Sequence, residues 1–373
     1  MTGMLISILN AGRNDHKTRW LYWVASALSQ IVRKFSEKAI QRVEMKILML
    51  HNRYLERGGE DESTESEITI LRRNGHEVDF FEIDNRVIHT QSLVRTSFET
   101  VWSMHSYRLL RERIRNSKPD LVHVQNFFPL FSPSIHHAAK AERKPVVQAL
   151  RNYRLLCVNG LLFRNHQVCE ECINRFVPLP GILHRCYRKS IAGSSVVASM
   201  ILIHRIIRTW ERKVDIFYTP SDYARQKFIR AGMSSSKIVV KPNFLLSDPG
   251  IGKKDRNYAL FVGRLVPEKG VLTLLKSWKM IEKSYIPLKI VGSGPLERKL
   301  KEEIGGKGAV EFLGRRTLND VINIMKGARF VVFPTESYET FGRVIMEAFA
   351  TQTPVIASRI GCAAELVSNH VNG

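Results

Sequence analysis

From Met45 onward, short apolar runs of strand length alternate with runs of helix length, and this alternation constrains the fold more than any other feature. The runs at 45–52 (MKILMLHN) and 121–126 (LVHVQN) are typical of strands buried in a parallel sheet. A stretch rich in Pro, Gly, Asp and Lys at 242–256 interrupts the alternation, which restarts at 258–264. The sequence therefore predicts an α/β protein with two doubly wound, Rossmann-like domains that face a central cleft.

The predicted domain limits are 1–44 for an N-terminal extension, 45–243 for the first domain and 244–373 for the second. Residues 20–35 (WLYWVASALSQIVRKF) indicate a basic amphipathic helix that is too short and too polar to span a bilayer. Two interpretations stay open: a helix that lies on a membrane surface, or an extension translated upstream of a start at Met45. Since the pattern stops one element after its last strand, we expect the second domain to be truncated.

The net charge of +22 predicts polyanionic partners, which include nucleic acids, anionic lipids and phosphorylated substrates. The sequence has no zinc finger, RNP-like aromatic motif or dense basic tail, so we expect no nucleic-acid partner. A phosphate-rich substrate near an anionic membrane accounts for the same charge. Five cysteines, an odd number, argue against a disulfide framework. We therefore expect a cytoplasmic location, either free or peripheral on the inner face of the membrane.

A segment that follows a predicted strand and opens a helix carries two carboxylates, Glu339 and Glu347, around Phe341 and Gly342. Gly342 allows close approach of the backbone to a ligand, and the N–H groups of the first helical turn suit a phosphate. Carboxylates accept hydrogen bonds from the paired hydroxyls of a ribose or a sugar. Taken alone, the pair is better explained by an ordinary helix start with one solvated glutamate.

Two further loops place glycines and cations at strand ends. Gly263 and Arg264 end the first predicted strand of the second domain, and Lys269 precedes the next helix. Such an arrangement suits a diphosphate, with arginine as a fork and lysine as a point charge, although a solvated basic turn explains it too. Gly58 and Gly59 follow the first strand and offer either backbone N–H groups or a plain tight turn.

Together these motifs resemble those of the family 4 (group 1) glycosyltransferases, retaining enzymes of the GT-B fold. The resemblance rests on the Gly-Gly loop at 58–59, VGRLVPEKG at 262–270 and ETFGRVIMEAFATQTPVIAS at 339–358. It implies transfer of a sugar from a nucleotide sugar to an acceptor hydroxyl with retention, in the synthesis of a cell-envelope polysaccharide or glycolipid. It also implies a glycan or lipid-linked acceptor and no catalytic metal, in keeping with the lack of an Asp-x-Asp triplet.

The resemblance also implies roles for single residues. Arg264 and Lys269 would bind the donor diphosphate and stabilise it as it leaves, while Glu339 would contact the donor sugar or its phosphate. Glu347 would hold the ribose hydroxyls. The other residues expected to bind the donor are Gly58, Gly59, Gly263, Phe341 and Gly342.

One departure from the family lies at Arg151. The segment 150–154 reads LRNYR where relatives typically carry His-Asn-Tyr-Arg, and that histidine is expected to contact the donor sugar. Arginine offers hydrogen bonds but is larger and permanently charged. Arg151 is therefore either a catalytic residue or the mark of an impaired or truncated nucleotide-sugar-binding relative.

Two other enzyme classes are alternatives. The only support for a dinucleotide-dependent oxidoreductase is the segment 292–294 (GSG), which lacks the third glycine of the dinucleotide-binding fingerprint. A sugar-nucleotide epimerase of similar architecture would need no acceptor.

Four of the five cysteines form a cluster within a predicted insertion at 157–186. Cys169 and Cys172 form a Cys-x2-Cys core, and Cys157 and Cys186 lie on either side of it. The pattern is explained by a structural zinc site or by four reduced thiols in a long insertion.

A basic segment between residues 151 and 213 carries apolar side chains at helical spacing. They are Val196, Met200, Ile203, Ile207 and Trp210. A core-facing stripe with a solvated basic back explains the pattern. So does a surface that docks on anionic lipid and faces a lipid-linked acceptor.

Overall fold

The computed structural model describes residues 44–54, 58–86, 92–252, 257–281, 286–304 and 310–373. The amphipathic helix predicted at 20–35 lies outside the described residues. Residues 44–373 form one compact unit that contains two parallel β-sheets, one in each half of the chain.

The described residues of the first half contain eight strands. They are β1 (Lys46–Arg53), β2 (Glu77–Asp84), β3 (Leu121–Asn126), β4 (Val146–Ala149), β5 (Phe163–Arg164), β6 (Gln167–Val168), β7 (Ile216–Thr219) and β8 (Ile238–Val240). Six of them form a parallel sheet in the order β2-β1-β3-β4-β7-β8, and β5 and β6 form a separate antiparallel hairpin.

Eight helices connect these strands. They are α1 (Gly59–Arg73), α2 (Leu93–Val101), α3 (Met104–Ser117), α4 (Ser134–Ala141), α5 (Leu179–Leu183), α6 (Ile191–Ile206), α7 (Thr209–Arg212) and α8 (Asp222–Arg230). Leu48 and Val124 on the sheet pack with Leu110 of α3 and Ile201 of α6 in one buried core. Because helices cover the sheet, its central strands are apolar along most of their length.

The second half forms a five-stranded parallel sheet. Its strands are β9 (Tyr258–Val262), β10 (Leu288–Val291), β11 (Val310–Gly314), β12 (Ala328–Phe333) and β13 (Val355–Ala357), in the order β11-β10-β9-β12-β13. Its helices are α9 (Val271–Met280), α10 (Glu297–Ile304), α11 (Leu318–Lys326), α12 (Arg343–Ala350) and α13 (Ala363–Leu366).

Both sheets have a point at which the strand order reverses, and ligands of doubly wound proteins bind in the crevice at such points. In the second sheet the order reverses between β9 and β12, which are neighbours although they are distant in sequence. The loops that follow these two strands therefore emerge side by side. They carry the two motifs singled out above, 262–270 and 339–358.

The predicted fold class is confirmed, with two Rossmann-like parallel sheets. The strand β8 was not predicted. Residues 241–252 contain neither helix nor strand, as expected of a linker. The domain limits themselves stay a prediction.

Several hydrogen bonds join the two halves. The Thr340 hydroxyl donates to the carbonyl of Arg151 at 2.8 Å, and the Ser221 hydroxyl donates to the carbonyl of Thr340 at 2.7 Å. Glu365 accepts the N–H of Tyr223 at 2.8 Å, at the start of α8. The loop that contains Glu339 and Thr340 is thus held against the first half.

Candidate functional site

The loops after β9 and β12 meet at the switch point of the second sheet. The Glu336 N–H donates to the carbonyl of Glu268 at 3.0 Å, and the Thr335 hydroxyl donates to the same oxygen at 3.1 Å. Lys269 and Glu339 face each other from the two loops and form an ion pair. Two motifs that are 70 residues apart in sequence thereby form one charged surface.

Glycines allow these loops to pack closely. Gly270 has a φ of +67°, and a Cβ there would lie 1.8 Å from the carbonyl oxygen of Pro334. Gly263 directly follows β9, and a Cβ at Gly292 would lie 1.9 Å from its carbonyl oxygen. A side chain at Gly270 would therefore separate the loops that carry Lys269 and Glu339, and one at Gly292 would displace the loop after β9.

Arg264 extends from the β9 loop with 56% of its side chain exposed. Its guanidinium lies 3.6 Å from the carboxylate of Glu268. Exposed pairs of this kind contribute only about 0–1 kcal/mol, so the guanidinium can exchange this partner for a ligand. The predicted diphosphate clamp thus consists of one cation that faces solvent and one, Lys269, that is paired with Glu339.

Glu347 lies on α12 and is buried, with 5% of the residue exposed. Burial raises its pKa above the usual value, and Arg343, whose Nε lies 3.4 Å from Glu347 Oε1, opposes this shift. Arg343 also donates from Nη1 to the hydroxyl of Ser63 on α1 at 3.0 Å. Glu347 is therefore connected through Arg343 to the first half of the chain.

Phe341 and Gly342 form the turn that leads from Glu339 into α12. The Arg343 N–H donates to the carbonyl of Phe341 at 3.1 Å, and the Ile345 N–H donates to the carbonyl of Gly342 at 2.9 Å. Gly342 is the N-cap residue of α12 and is buried. The turn fixes where the first N–H groups of α12 emerge.

Gly58 and Gly59 lie at the start of α1, in the wall of the cleft that the first half of the chain forms. A Cβ at Gly59 would lie 3.2 Å from Arg343 Cδ, so the Gly-Gly turn faces the start of α12. However, the Gly58 N–H donates to the carboxylate of Asp61 at 2.7 Å, and the first turn of α1 carries three acidic residues. The positive end of this helix is thus already compensated by carboxylates.

Arg151 is buried and its side chain is held within the first half. Its guanidinium donates to Gln125 Oε1 at 3.1 Å and to Asn243 Oδ1 at 2.7 Å, and it pairs with Glu67 at 3.3 Å. In contrast, its backbone carbonyl contacts Thr340 of the β12 loop. The backbone of Arg151 therefore connects the two halves, while its guanidinium is neutralised by partners within the first half.

Glu67 is the centre of this buried network, and no role was predicted for it. Lys241 Nζ lies 2.8 Å from its carboxylate, and the Tyr218 hydroxyl lies 3.0 Å from it. Burial alone would raise the pKa of Glu67, but Lys241, His123 and Arg151 together hold that pKa well below its usual range. Burial also lowers the pKa of His123 to about 4.

A signal for Glu67 does exist in the sequence. Ser63, Glu67 and Leu71 follow one another at intervals of four and are buried on the inner face of α1. A charged residue on a core-facing stripe requires a buried partner, which predicts a structural or functional role.

The four clustered cysteines line one small cavity of about 10 Å³. All of them are free thiols, Cys157 and Cys172 buried and Cys169 and Cys186 partly buried. No group of three or more His, Cys, Asp or Glu side chains is already arranged to hold a metal ion in the described part of the chain. The zinc site therefore stays a prediction.

The apolar stripe predicted on one basic helix is divided by the structure. Met200 and Trp210 are buried, whereas Ile203 and Ile207 are exposed. The helix α6 ends at Ile206, and Arg208, with a φ of +55°, begins the separate short helix α7. The stripe is thus partly core and partly surface. Among the described helices, none combines the length and apolar character that crossing a membrane requires.

Two family models match the chain. The model described as Glycosyltransferase Family 4 matches residues 64–245, and the model described as Glycosyl transferases group 1 matches residues 247–373. Each model covers one of the two parallel sheets, apart from β1, which precedes the first match.

Curated relatives include two uncharacterized glycosyltransferases of Methanocaldococcus jannaschii. MJ1178 is 37% identical over 121 residues, which are 32% of this chain and 33% of that protein. MJ1607 is 28% identical over 329 residues, 81% of this chain and 77% of that protein. The O-antigen chain mannosyltransferase RfbU of Salmonella typhimurium is 27% identical over 225 residues, 58% of this chain and 60% of that protein. The chain thus matches less than two thirds of the length of MJ1178 and RfbU.

Among solved structures, Anabaena Alr3699/HepE in complex with UDP and glucose has a TM-score of 0.59 and 20% identity. The match covers 88% of this chain and 85% of that one. At this identity the likeness shows a shared fold, here the GT-B arrangement of two Rossmann-like domains.

Proposed function

Because the chain belongs to the family 4 (group 1) glycosyltransferases, we propose that it moves a sugar from a nucleotide-sugar donor to an acceptor hydroxyl with retention at the anomeric carbon. The observation that carries this proposal is the meeting of Arg264, Lys269 and Glu339 at the switch point between β9 and β12. That crevice is where doubly wound sheets bind nucleotides.

In this proposal the diphosphate of the donor binds between the β9 loop and the start of α12. Arg264 and Lys269 are the cations, and the first N–H groups of α12 supply further donors. Donor binding would place a phosphate beside Lys269 and release Glu339 toward the sugar. The bound UDP in the related HepE structure supports a nucleotide donor.

Glu347 is proposed to accept hydrogen bonds from the ribose hydroxyls. Its carboxylate is buried and kept near Arg343, which fixes its orientation. Departure of the diphosphate from an oxocarbenium-like centre requires stabilisation of the leaving group above all. Preorganised cations and helix N–H groups provide such stabilisation without a metal ion.

The proposal is tested by incubating the purified chain with labelled UDP-, GDP- and dTDP-sugars and following donor hydrolysis and transfer. We expect turnover with one donor class, and a product whose anomeric configuration, read by NMR, equals that of the donor. An inverted product would contradict retention. Absence of both binding and turnover with every donor would contradict the proposed donor site.

A second candidate function is a nucleotide-sugar binder with impaired turnover, and the burial of Arg151 favours it. Its guanidinium is bound by Gln125, Asn243 and Glu67 and is not free to contact a sugar. Comparison of the chain with an Arg151→His variant separates the two functions. Gain of transfer by the variant, with unchanged donor affinity, would identify an intact fold with an impaired site. Sugar transfer by the parent chain but not by the variant would favour the active transferase.

We also propose that the acceptor is a cell-envelope glycan or a lipid-linked precursor and that the first domain approaches an anionic membrane. The relative RfbU is an O-antigen mannosyltransferase, which supports a glycan acceptor. The helices α2 and α6 contact each other, and His204 of α6 is hydrogen-bonded to the carbonyl of Val101 of α2 at 2.9 Å. Apolar side chains exposed on and just after these helices are Leu93, Val94, Phe98, Ile203, Ile206 and Ile207.

Cations flank these apolar side chains, among them Arg95 and Arg208, which pair with Glu99 and Glu211 and can exchange these carboxylates for anionic headgroups. Flotation with phosphatidylglycerol and with neutral vesicles tests this proposal. We expect binding to anionic vesicles alone and weaker binding of a Phe98→Ser variant. The matched control is Met280→Ser, since Met280 is an equally exposed apolar residue in the second half. Negligible binding of the parent chain to both vesicle types would refute membrane docking.

A further inference from the structure

The segment between β4 and α6 has little regular structure of its own. Across these roughly forty residues the structure has one hairpin of two-residue strands and one five-residue helix, α5. Irregular segments of this length are uncommon inside a compact domain, and this one is anchored in the core of the first half through side chains such as Tyr153, Leu156 and Leu162. The described segment packs tightly, because a Cβ at Gly181 would fall 2.4 Å from Val158 and 3.5 Å from Cys172 Sγ.

Local hydrogen bonds bring the four cysteines of this segment to one cavity. The β5–β6 hairpin closes with the Cys169 N–H donating to the carbonyl of Leu162 at 2.8 Å, and the Cys186 N–H donates to the carbonyl of Gly181 at 3.0 Å. The cavity that the thiols line has a volume of about 10 Å³, which is room for a single ion or one water molecule.

We propose that Cys157, Cys169, Cys172 and Cys186 bind one structural Zn²⁺ as four thiolates. Tetrahedral coordination by four sulfurs at about 2.3 Å is the commonest form of such sites, and the thiols would draw in around the ion to reach it. This proposal is independent of the transferase activity, because it concerns the folding of the segment.

The charges around the cavity favour a metal over inert buried thiols. A tetrathiolate zinc site carries two negative charges, and Arg164, which hydrogen-bonds Cys169, supplies a neighbouring cation.

The zinc segment also contacts the proposed donor loop. Glu170, between two of the cysteines, lies 2.6 Å from Lys227 Nζ, and that ammonium lies 4.4 Å from the ring centroid of Tyr338. Tyr338 immediately precedes Glu339. The ion would therefore act as a positioning element for the donor loop, a consequence that rests on the function proposed above.

Metal analysis of the full chain, purified in reductant without added metal, tests the proposal. We expect one zinc per chain, loss of that zinc in Cys172→Ser, and retention in Cys362→Ser, which removes the cysteine outside the cluster. If Cys172→Ser fails to fold, titration of the parent chain with an organomercurial replaces it, with release of the zinc as the cluster thiols react.

Three results would overturn the proposal. They are a parent chain without stoichiometric zinc, zinc that survives complete modification of the cluster thiols, and fewer than five titratable thiols in unreduced, denatured protein. The last would identify a disulfide. For the consequence at the donor loop, we expect chelation to raise the donor KM several-fold more than it changes kcat. Zinc without this KM effect would refute the positioning role alone, and zinc without any turnover would refute only the transferase.

Discussion

The two walls of the cleft use their charged residues in different ways. On the wall formed by the second sheet, the side chain of Arg264 is 56% exposed and that of Lys269 is 21% exposed. On the wall formed by the first sheet, Arg151 and Glu67 are exposed by 7% and 6%. The charged side chains on the wall of the second sheet can exchange their partners for a ligand, whereas those on the wall of the first sheet pair with one another.

This difference assigns the two walls different energetic roles. A buried ion network contributes little net stability when complete but costs much when one member is removed. A half-exposed pair costs little to break and is available for binding. We therefore expect mutations on the wall of the first sheet to lower stability and mutations on the wall of the second sheet to weaken ligand binding.

Glu67→Ala should produce the largest loss of stability. It removes the carboxylate that Arg151 and Lys241 share and leaves two buried cations uncompensated. We expect the free energy of unfolding to fall by about 3–5 kcal/mol, measured by denaturant titration. The matched control is Glu112→Ala, since Glu112 is exposed on α3, and should change stability by less than about 0.5 kcal/mol. Equal effects of the two variants would remove the distinction between the walls.

Lys269→Ala should show the opposite behaviour. The ammonium pairs with Glu339 at the proposed diphosphate site, so its loss should lower kcat/KM about a hundredfold. Stability should change by less than about 1 kcal/mol because the pair is only partly buried. Lys276→Ala on the exposed face of α9 controls for the loss of one charge. A large loss of stability with unchanged kcat/KM would make Lys269 a structural residue.

The response to acid should come from the first wall. The pKa of His123 is lowered to about 4, so between about pH 6.5 and pH 4 the unfolded chain binds a proton that the folded chain does not. The free energy of unfolding must therefore fall as the pH is lowered through this window, by up to about 3 kcal/mol from this group. The raised pKa of Glu347 acts in the opposite direction, so the difference between the parent chain and His123→Gln isolates the histidine. Identical pH slopes of the two proteins would contradict a neutral, buried His123.

Much of the fold was predictable because its determinants are local. The apolar runs at 45–52 and 121–126 coincide with strands, give or take a residue at each end. The restart of the pattern at 258–264 predicted the second sheet. The two- and three-residue strands β5, β6 and β8 escaped prediction, since such short segments have no periodicity to detect.

The candidate site divides in the same way. Strand order at a switch point brings the loops that carry Lys269 and Glu339 together, so their meeting follows once the motifs are placed on the observed topology. The partners of Arg151 were not predictable, because Glu67 and Asn243 lie 84 and 92 residues from it in sequence. Their contact depends on how α1 and the segment after β8 pack, which no local pattern encodes.

Arg264→Ala is expected to have the smallest effect, and it tests most directly whether side-chain exposure is what distinguishes the two walls. The Arg264 side chain is exposed and lies 3.6 Å from its partner Glu268, so the free energy of unfolding should change by less than about 0.5 kcal/mol. Donor affinity should nevertheless fall about tenfold by calorimetry, with partial recovery in Arg264→Lys, because lysine keeps the charge but loses the planar fork. If Arg264→Ala binds the donor as the parent does, the diphosphate rests on Lys269 and α12 alone. If it unfolds more readily, exposure is not what separates the two walls.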